Sequence, residues 1–321
     1  MRIYGCGGLG LNIASQLTQL AGKTSDSIVL DTAEISYIDT SESNLHHNSI
    51  DSKDLYLIEG ANGSGKNRAE NYQAIKDQIK RIVLNHKPQD FNIIINSLSG
   101  GSGSVIGPLL YNELRDQGYD VVNIVVGSSD STIEISNTIK TIKSYIGISN
   151  KRKEPVIAHY FENSKVTPRE AVDADIKKVV TLLSLFLNKN NHELDSTDIH
   201  HFLNYNKVTG HEPTFVFSKF YSKQIDIDNH YFPIAGLTLA NKGQDTSIGH
   251  PIDYQASGYV SNLDGTDIAN RLPMHMILME GYVAETVERL ENSLKEVEKL
   301  RAAALTKRVR VTDALDDGMV I

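Results

Sequence analysis

The sequence predicts an α/β chain: a doubly wound parallel sheet, then a smaller strand-rich unit of α+β character, then one long helix. Three observations predict it. Short β-branched runs alternate with helix-length amphipathic stretches through the first half, the pattern of parallel strands joined by right-handed crossovers. After residue 205 strand-like runs follow one another without helices of similar length. From about residue 282 apolar positions recur at helical spacing.

The expected strands of the first unit are Arg2–Tyr4, Ile28–Asp31, Leu55–Ile58, Phe91–Asn96, Val121–Val126 and Val156–Phe161. Between them, helices are expected near 11–22, 67–86, 104–117, 131–147 and 168–188. Ile93–Ile95 and Val121–Val126 are nearly continuous apolar runs, as strands covered on both faces require. Thr214–Ser218, Ile234–Leu239, Gly258–Val260 and His275–Met279 are the strands expected later, and Ile176–Leu187 reads as a buried helix connecting the two parts. At the end, Val283, Val287, Leu290, Leu294, Val297, Arg301 and Ala304 form one stripe of a helix over 282–307, roughly 39 Å long. Basic Lys307, Arg308 and Arg310 and an acidic end, Asp313–Ile321, follow it. The expected divisions are 1–167, 168–188, 189–280 and 281–321.

With 321 residues, 40% apolar and 22% charged, the chain has the composition of an ordinary globular protein. The lone Cys6 excludes a disulfide framework or a cysteine-built zinc site. No run approaches the roughly 18–20 apolar residues of a bilayer span, and the opening residues enter a strand and glycine turn at once. A cytoplasmic address is the expectation. The net charge of −8 argues against broad nucleic-acid affinity.

Three glycine-rich loops carry the chemistry. Gly5–Gly10 fits G-x-G-x-x-G directly after the first strand, with Asp31 about twenty residues on. Taken alone it reads as a nicotinamide or flavin dinucleotide loop or as a bare strand-to-helix turn. Gly60–Arg68 has the glycine and lysine positions of a P-loop, but Asn67 stands where Ser or Thr would meet Mg²⁺. The third loop, Ser99–Ser104, again lies between strand and helix. In a doubly wound sheet all three loops share the carboxyl edge, where ligands bind. Their backbone amides and helix N-termini would there wrap several phosphates, as in a nucleoside di- or triphosphate site.

Ser99–Ser104 resembles the tubulin/FtsZ signature G-G-G-T-G-[TS]-G, with Ser for the first Gly and for Thr, and with Val105 in place of the last Gly. The resemblance extends over almost the whole chain, and the compact length and long terminal helix are most similar to the phage-encoded tubulins. It implies a GTPase domain at 1–167, a central connecting helix, an activation domain carrying the catalytic loop, and GTP/GDP with Mg²⁺ as ligands. Gly7, Gly8, Leu9 and Asn12 would belong to the first nucleotide loop. Gly63, Ser64, Gly65, Lys66, Asn67 and Arg68 would sense the terminal phosphate. Ser99, Gly100, Gly101, Ser102, Gly103 and Ser104 would bind the α- and β-phosphates. Glu134 would bind the ribose, and Asn163 and Asp175 would read the guanine edge, although Asp175 also suits a solvated helix position. Asp195 and Asp198 match the hydrolytic loop, in which Glu193 replaces the expected Asn. Two carboxylates three apart share a helix face, and the same residues would also make an N-cap.

The resemblance further implies that Asp195 and Asp198 complete the site of a neighbouring copy. The partner is then the chain itself, as a head-to-tail homopolymer whose open-ended contact makes filaments. Asp313, Asp316, Asp317, Met319 and Ile321 of the tail would contact another subunit. Filaments that position viral DNA in a bacterial host's cytoplasm are the implied role, with the adaptor unknown and no membrane insertion. Two alternatives stand beside it: an NAD(P)-dependent oxidoreductase built on the first loop, and a nucleotide-binding filament protein that hydrolyses little. Adjacent His46–His47 and His200–His201 lack partners at ligand spacing and are not expected to bind metal.

Overall fold

Ten strands hydrogen-bond into one sheet in a computed structural model of the chain, which describes residues 1–20, 33–45, 50–187, 191–222, 231–260 and 269–315. The strands are β1 (Arg2–Cys6), β2 (Glu34–Asp39), β3 (Leu55–Leu57), β4 (Phe91–Ser97), β5 (Asp120–Ser128), β6 (Val156–Asn163), β7 (Phe215–Ser222), β8 (Phe232–Asn241), β9 (Tyr254–Val260) and β10 (Met274–Glu280). Their order is β3-β2-β1-β4-β5-β6-β7-β10-β8-β9. The first seven run parallel, β10 is antiparallel to both β7 and β8, and β9 is parallel to β8. The later strands thus extend the sheet of the first half.

The helices are α1 (Gly7–Leu20), α2 (Tyr72–Asn85), α3 (Gly103–Asp116), α4 (Thr132–Arg152), α5 (Arg169–Leu187), α6 (Ser196–Leu203) and α7 (Tyr282–Leu315). They cover both faces of the sheet, and β4 is accordingly buried at every residue. One apolar layer joins Ile13 and Leu17 of α1 and Ile176, Val180, Leu183 and Phe186 of α5 to Ile3, Ile93, Ile95 and Ile124. The opposite layer joins α2, α3 and α4, through Ile79, Leu110 and Tyr145, to Tyr4, Ile94 and Val125.

Two expectations are corrected. The strand paired with β1 is Glu34–Asp39, whereas Ile28–Asp31 lies outside the described residues. The segment alternates Ile35 and Tyr37 with Glu34 and Ser36, a period-2 signal that the more apolar Ile28–Leu30 outweighs on hydrophobicity alone. The terminal helix does not give way near 307; it continues to Leu315, about 50 Å in all. Its stripe packs through Val283, Val287, Leu290 and Leu294, with Leu290 wholly buried against Ile135 and Ile139 of α4. Side chains 298–304 are all exposed, Arg301 and Ala304 among them. The reason is the length of the partner: Arg301 Nη2 already reaches Thr132, the first residue of α4, at 3.2 Å. Beyond that point α7 has outrun α4.

Candidate nucleotide site

The last residues of five parallel strands, Cys6, Asp39, Ser97, Ser128 and Asn163, line one cavity of about 1020 Å³. It sits where strand order reverses between β1 and β4, at the carboxyl edge of the sheet. Three helices, α1, α3 and α5, begin at its wall with Gly7, Gly103 and Arg169. Ser102 precedes α3 without capping it through its side chain; its hydroxyl meets Thr40 Oγ1 at 2.6 Å instead. Helix N-termini of this kind present N–H donors to anions.

The three glycine loops meet here, the first and third as backbone against backbone and the second through the Ser64 side chain. Register pairs Cys6 with Asn96, so the loops after β1 and β4 lie side by side. Gly7 has φ 70°, and a Cβ there would stand 2.6 Å from the Gly103 nitrogen. A Cβ on Gly101 would collide with Ser64, which brings the second loop over the third. Ser104 is wholly buried, and its hydroxyl donates to the Gly101 carbonyl at 3.0 Å, fixing the third loop from behind.

Of the residues expected to bind nucleotide, Gly7, Gly8, Leu9, Asn12, Gly63, Ser64, Gly65, Lys66, Ser99, Gly100, Gly101, Ser102, Gly103, Glu134 and Asn163 line the cavity. Asn67, Arg68, Ser104 and Asp175 do not. Asn67 bonds its own turn, at Ala69 N and Glu70. Arg68 points behind the loop, donating to Ser104 O at 3.4 Å and to Ser144 Oγ at 3.2 Å. Asp175 is exposed and paired with Lys178 at 2.8 Å.

Asp173 stands where Asp175 was expected. Positions two apart on a helix differ by about 200°, so only one of the two can face the cavity. Asp173 shares the face of Ile176 and Val180, the buried stripe of α5, and this phase was readable from the apolar spacing. Its Oδ1 is buried with no hydrogen-bond partner, as is Oδ1 of Asn163. Burial pushes the Asp173 carboxyl above the usual carboxylate range. Both orphaned atoms are acceptors in one cavity wall, so a ligand satisfying them presents hydrogen-bond donors. Asp39 is a further residue missed in the sequence, because its strand was placed elsewhere. It is buried, bonds Thr40 N at 2.7 Å and Asn44 at 2.8 Å, and burial raises its pKa as well.

Asp195 and Asp198 lie at the far edge of the sheet. Asp195 caps α6, accepting from Thr197 N at 2.7 Å and Asp198 N at 3.0 Å, and Asp198 accepts from Asp195 N at 3.1 Å. These backbone donors hold the Asp195 carboxyl below its usual range. Tyr254 donates to the other Asp198 oxygen at 3.1 Å. Glu193 has φ 80°, a left-handed conformation that Asn adopts more readily than Glu. His200 pairs with Asp120 and His201 stands edge-on to Tyr254; His46 and His47 lie outside the described residues. Among the described residues no cluster of three or more metal-ligating side chains forms, and no helix is long and apolar enough to cross a membrane.

A single-sheet α/β fold with three glycine loops and three helix N-termini around one cavity is the arrangement of a nucleotide-binding protein. Residues 1–151 match the GTPase domain of the tubulin/FtsZ family. The chain's similarity runs to phage tubulin-like proteins. One, from Pseudomonas phage phiKZ, is 33% identical over 218 residues, 64% of this chain and 63% of that protein. Another, from Pseudomonas phage 201phi2-1, is 27% identical over 323 residues, 98% of this chain and 97% of the relative. The solved protofilament of TubZ from bacteriophage PhiKZ superposes with a TM-score of 0.81 at 28% identity, covering 94% of this chain and 91% of the other. The family match leaves the nicotinamide reading of the first loop without support.

Proposed function

We propose that the chain binds GTP in this cavity and hydrolyses it to GDP and phosphate while polymerising head to tail. One observation carries this reading: the cavity and the Asp195–Asp198 pair occupy opposite edges of one sheet. Asp120 opens β5 and pairs with His200 of α6, whereas Ser128 closes β5 at the cavity. Eight residue steps at about 3.3 Å separate the two edges by about 26 Å. The carboxylates therefore cannot serve the nucleotide of their own subunit, and stacking one copy on the next brings them to a neighbour's cavity.

In this reading the amides of the first and third loops and the N-termini of α1 and α3 hold the phosphates. Asn163 and Asp173 accept from the guanine N1–H and amino donors, which adenine does not offer in that arrangement. Mg²⁺ fits the cavity chemically, since Asp39, one of four lining carboxylates with Asp130, Glu134 and Asp173, would together with phosphate oxygens be an oxygen donor set of the kind it takes. Bound there, it would neutralise phosphate charge. Asp195 and Asp198 of the adjoining subunit orient a water toward the terminal phosphate, so catalysis is mostly positioning.

The terminal helix supports the same assembly. α7 starts at the edge bearing α6, runs antiparallel along α4, and leaves the body at the cavity edge. Its end thus points toward the neighbour seated on the cavity, and we assign the contact with that neighbour to Asp313 and to Asp316, Asp317, Met319 and Ile321, the last four of which lie outside the described residues. The similarity to phage tubulin-like proteins supports extending this reading to filaments that position viral DNA in a host cytoplasm. A filament protein that binds GTP but hydrolyses it slowly is the second reading. It is favoured by the engagement of both carboxylates in the cap and by Glu193.

Light scattering and phosphate release with GTP, ATP and NADH, for wild type and Asp198→Ala, test the reading. GTP-dependent scattering with phosphate release is expected of the wild type alone. Normal GTP hydrolysis by Asp198→Ala would remove the catalytic assignment, and scattering without phosphate release would favour the second reading.

A further inference from the structure

The stretch that carries Asp195 and Asp198 is fastened to β9, the strand at the end of the sheet, at two points. The first is backbone on backbone: His192 N donates to Tyr259 O at 2.7 Å, and Tyr259 N donates to His192 O at 2.9 Å. Gly258 beside it lets the loop lie close, since a Cβ there would stand 2.5 Å from Asn191 Oδ1 and 2.7 Å from Leu194 Cβ. Leu194 is buried in the apolar layer shared with α5 and α6. The second point is a side chain. Tyr254, the first residue of β9, donates its hydroxyl to Asp198 Oδ1 at 3.1 Å. Asp195 lies between the two fastenings.

This hydroxyl completes the orientation of one carboxylate. Asp198 Oδ2 already accepts from Asp195 N within the cap. A bond to one oxygen restrains the group loosely; a second donor on the other oxygen sets its plane. Each oxygen keeps a lone pair for a water. The donor is itself held, because the Tyr254 ring packs on the apolar layer of Ile199 and Phe202 and stands edge-on to His201. Burial, followed by the Asp198 charge, raises the phenol pKa, so Tyr254 keeps its proton and remains a donor through the neutral range.

We infer that Tyr254 is a positioning residue for GTP hydrolysis: from β9 it sets the plane in which the Asp198 carboxylate meets the neighbouring copy's nucleotide. The inference rests on the reading of Asp195 and Asp198 as the hydrolytic pair. It makes the last strand of the sheet part of the hydrolytic apparatus, holding the loop through its backbone and the acid through its phenol. A half-exposed carboxylate at a helix start then enters the interface between copies already aimed. Where catalysis is mostly positioning, a small displacement of such a group costs rate. Binding of the nucleotide does not depend on it, because Tyr254 lies with α6, remote from the cavity of its own subunit.

The test is GTP turnover per polymerised subunit, measured together with the critical concentration for assembly and the affinity for GTP. It uses the full chain as wild type, Tyr254→Phe, Asp198→Ala and the double variant. Tyr254→Phe keeps the packed ring and removes only the hydroxyl. It should lower turnover about tenfold, the loss for a hydrogen bond to a charged group, with critical concentration and GTP affinity unchanged. In the double variant the missing hydroxyl should add nothing to the loss seen in Asp198→Ala, since it has no carboxylate to act through. Should Asp198→Ala fail to fold, Asp198→Asn takes its place with the same expectation. Unchanged or raised turnover in Tyr254→Phe, a raised critical concentration in place of slower turnover, or an equal loss with and without the Asp198 carboxylate overturns the inference and leaves the hydrolytic pair standing. Normal hydrolysis by Asp198→Ala, or a wild type that releases no phosphate, overturns the reading of the pair itself.

Discussion

Nδ1 of His200 lies 3.1 Å from Oδ2 of Asp120, the first residue of the strand whose last residue, Ser128, lines the nucleotide cavity. That contact anchors α6, and the acidic pair at its start, to the edge of the sheet opposite the cavity. In the proposed function, hydrolysis would then need a second copy of the chain, and the role of the pair would belong to the assembled filament.

Capping and catalysis can be separated at this pair. Asn caps a helix about as well as Asp, so Asp195→Asn should keep stability within about 0.5 kcal/mol in urea unfolding while lowering GTP turnover. Asp195→Ala should lower turnover and also cost about 1 kcal/mol of stability. Both variants should bind GTP with wild-type affinity, because the cavity is remote from α6. Reduced affinity for GTP in the monomeric protein would contradict the placement.

Asp173 and Asp175 give opposite outcomes. Asp173→Asn should weaken guanosine nucleotide binding by about 10- to 100-fold, the usual loss for a hydrogen bond to a charged group, and Asp175→Asn should leave it unchanged. The ligand-free proteins add a check by pH. Burial raises the Asp173 pKa above its unfolded value, so the folded state holds a proton that the unfolded state releases, and stability is lost as pH rises through that window. Asp173→Asn should therefore stabilise the ligand-free protein at pH 7. The gain should vanish at pH values below the unfolded carboxyl pKa of about 3.9. Thermal melts at the two pH values measure it.

His159 predicts a pH dependence of the other sign. Burial between Phe161 and Phe220, with the Lys219 charge nearby, lowers its pKa to about 4. The unfolded chain takes up this proton near pH 6.5, so stability is complete above that value and is lost as pH falls toward 4. The loss amounts to up to about 3 kcal/mol. His159→Gln, which does not titrate, should flatten the urea midpoint over this range relative to wild type.

The terminal helix divides into a packed and a projecting part. Leu290→Ala removes a wholly buried side chain between α7 and α4 and should cost about 2–5 kcal/mol. Leu300→Ala, at a position 69% exposed, should stay within about 0.5 kcal/mol. Truncation after Thr312 should abolish GTP-dependent scattering and leave nucleotide affinity unchanged. Polymerisation of the truncated chain at the wild-type level would remove the tail from the assembly.

The sequence by itself determined the alternation of strands and helices, the three glycine loops, and the helical phase of Val283, Val287, Leu290 and Leu294. These are set by local rules: a strand needs β-branched runs, and a chain that crosses another backbone at Gly7 or Gly103 has no room for a side chain. It also carried the phase of α5, in which Asp173 rather than Asp175 follows Ile176 and Val180. Only the tertiary structure decided which segment pairs with β1, because Ile28–Asp31 and Glu34–Asp39 both have strand chemistry and partner choice is a non-local competition. The same holds for Lys66 and Glu134, bonded at 2.9 Å, whose meeting depends on how α4 docks beside the second loop. It holds most of all for Asp195 and Asp198. As a sequence they make a helix cap or a catalytic pair; their distance from the cavity exists only once β5 spans the sheet between them.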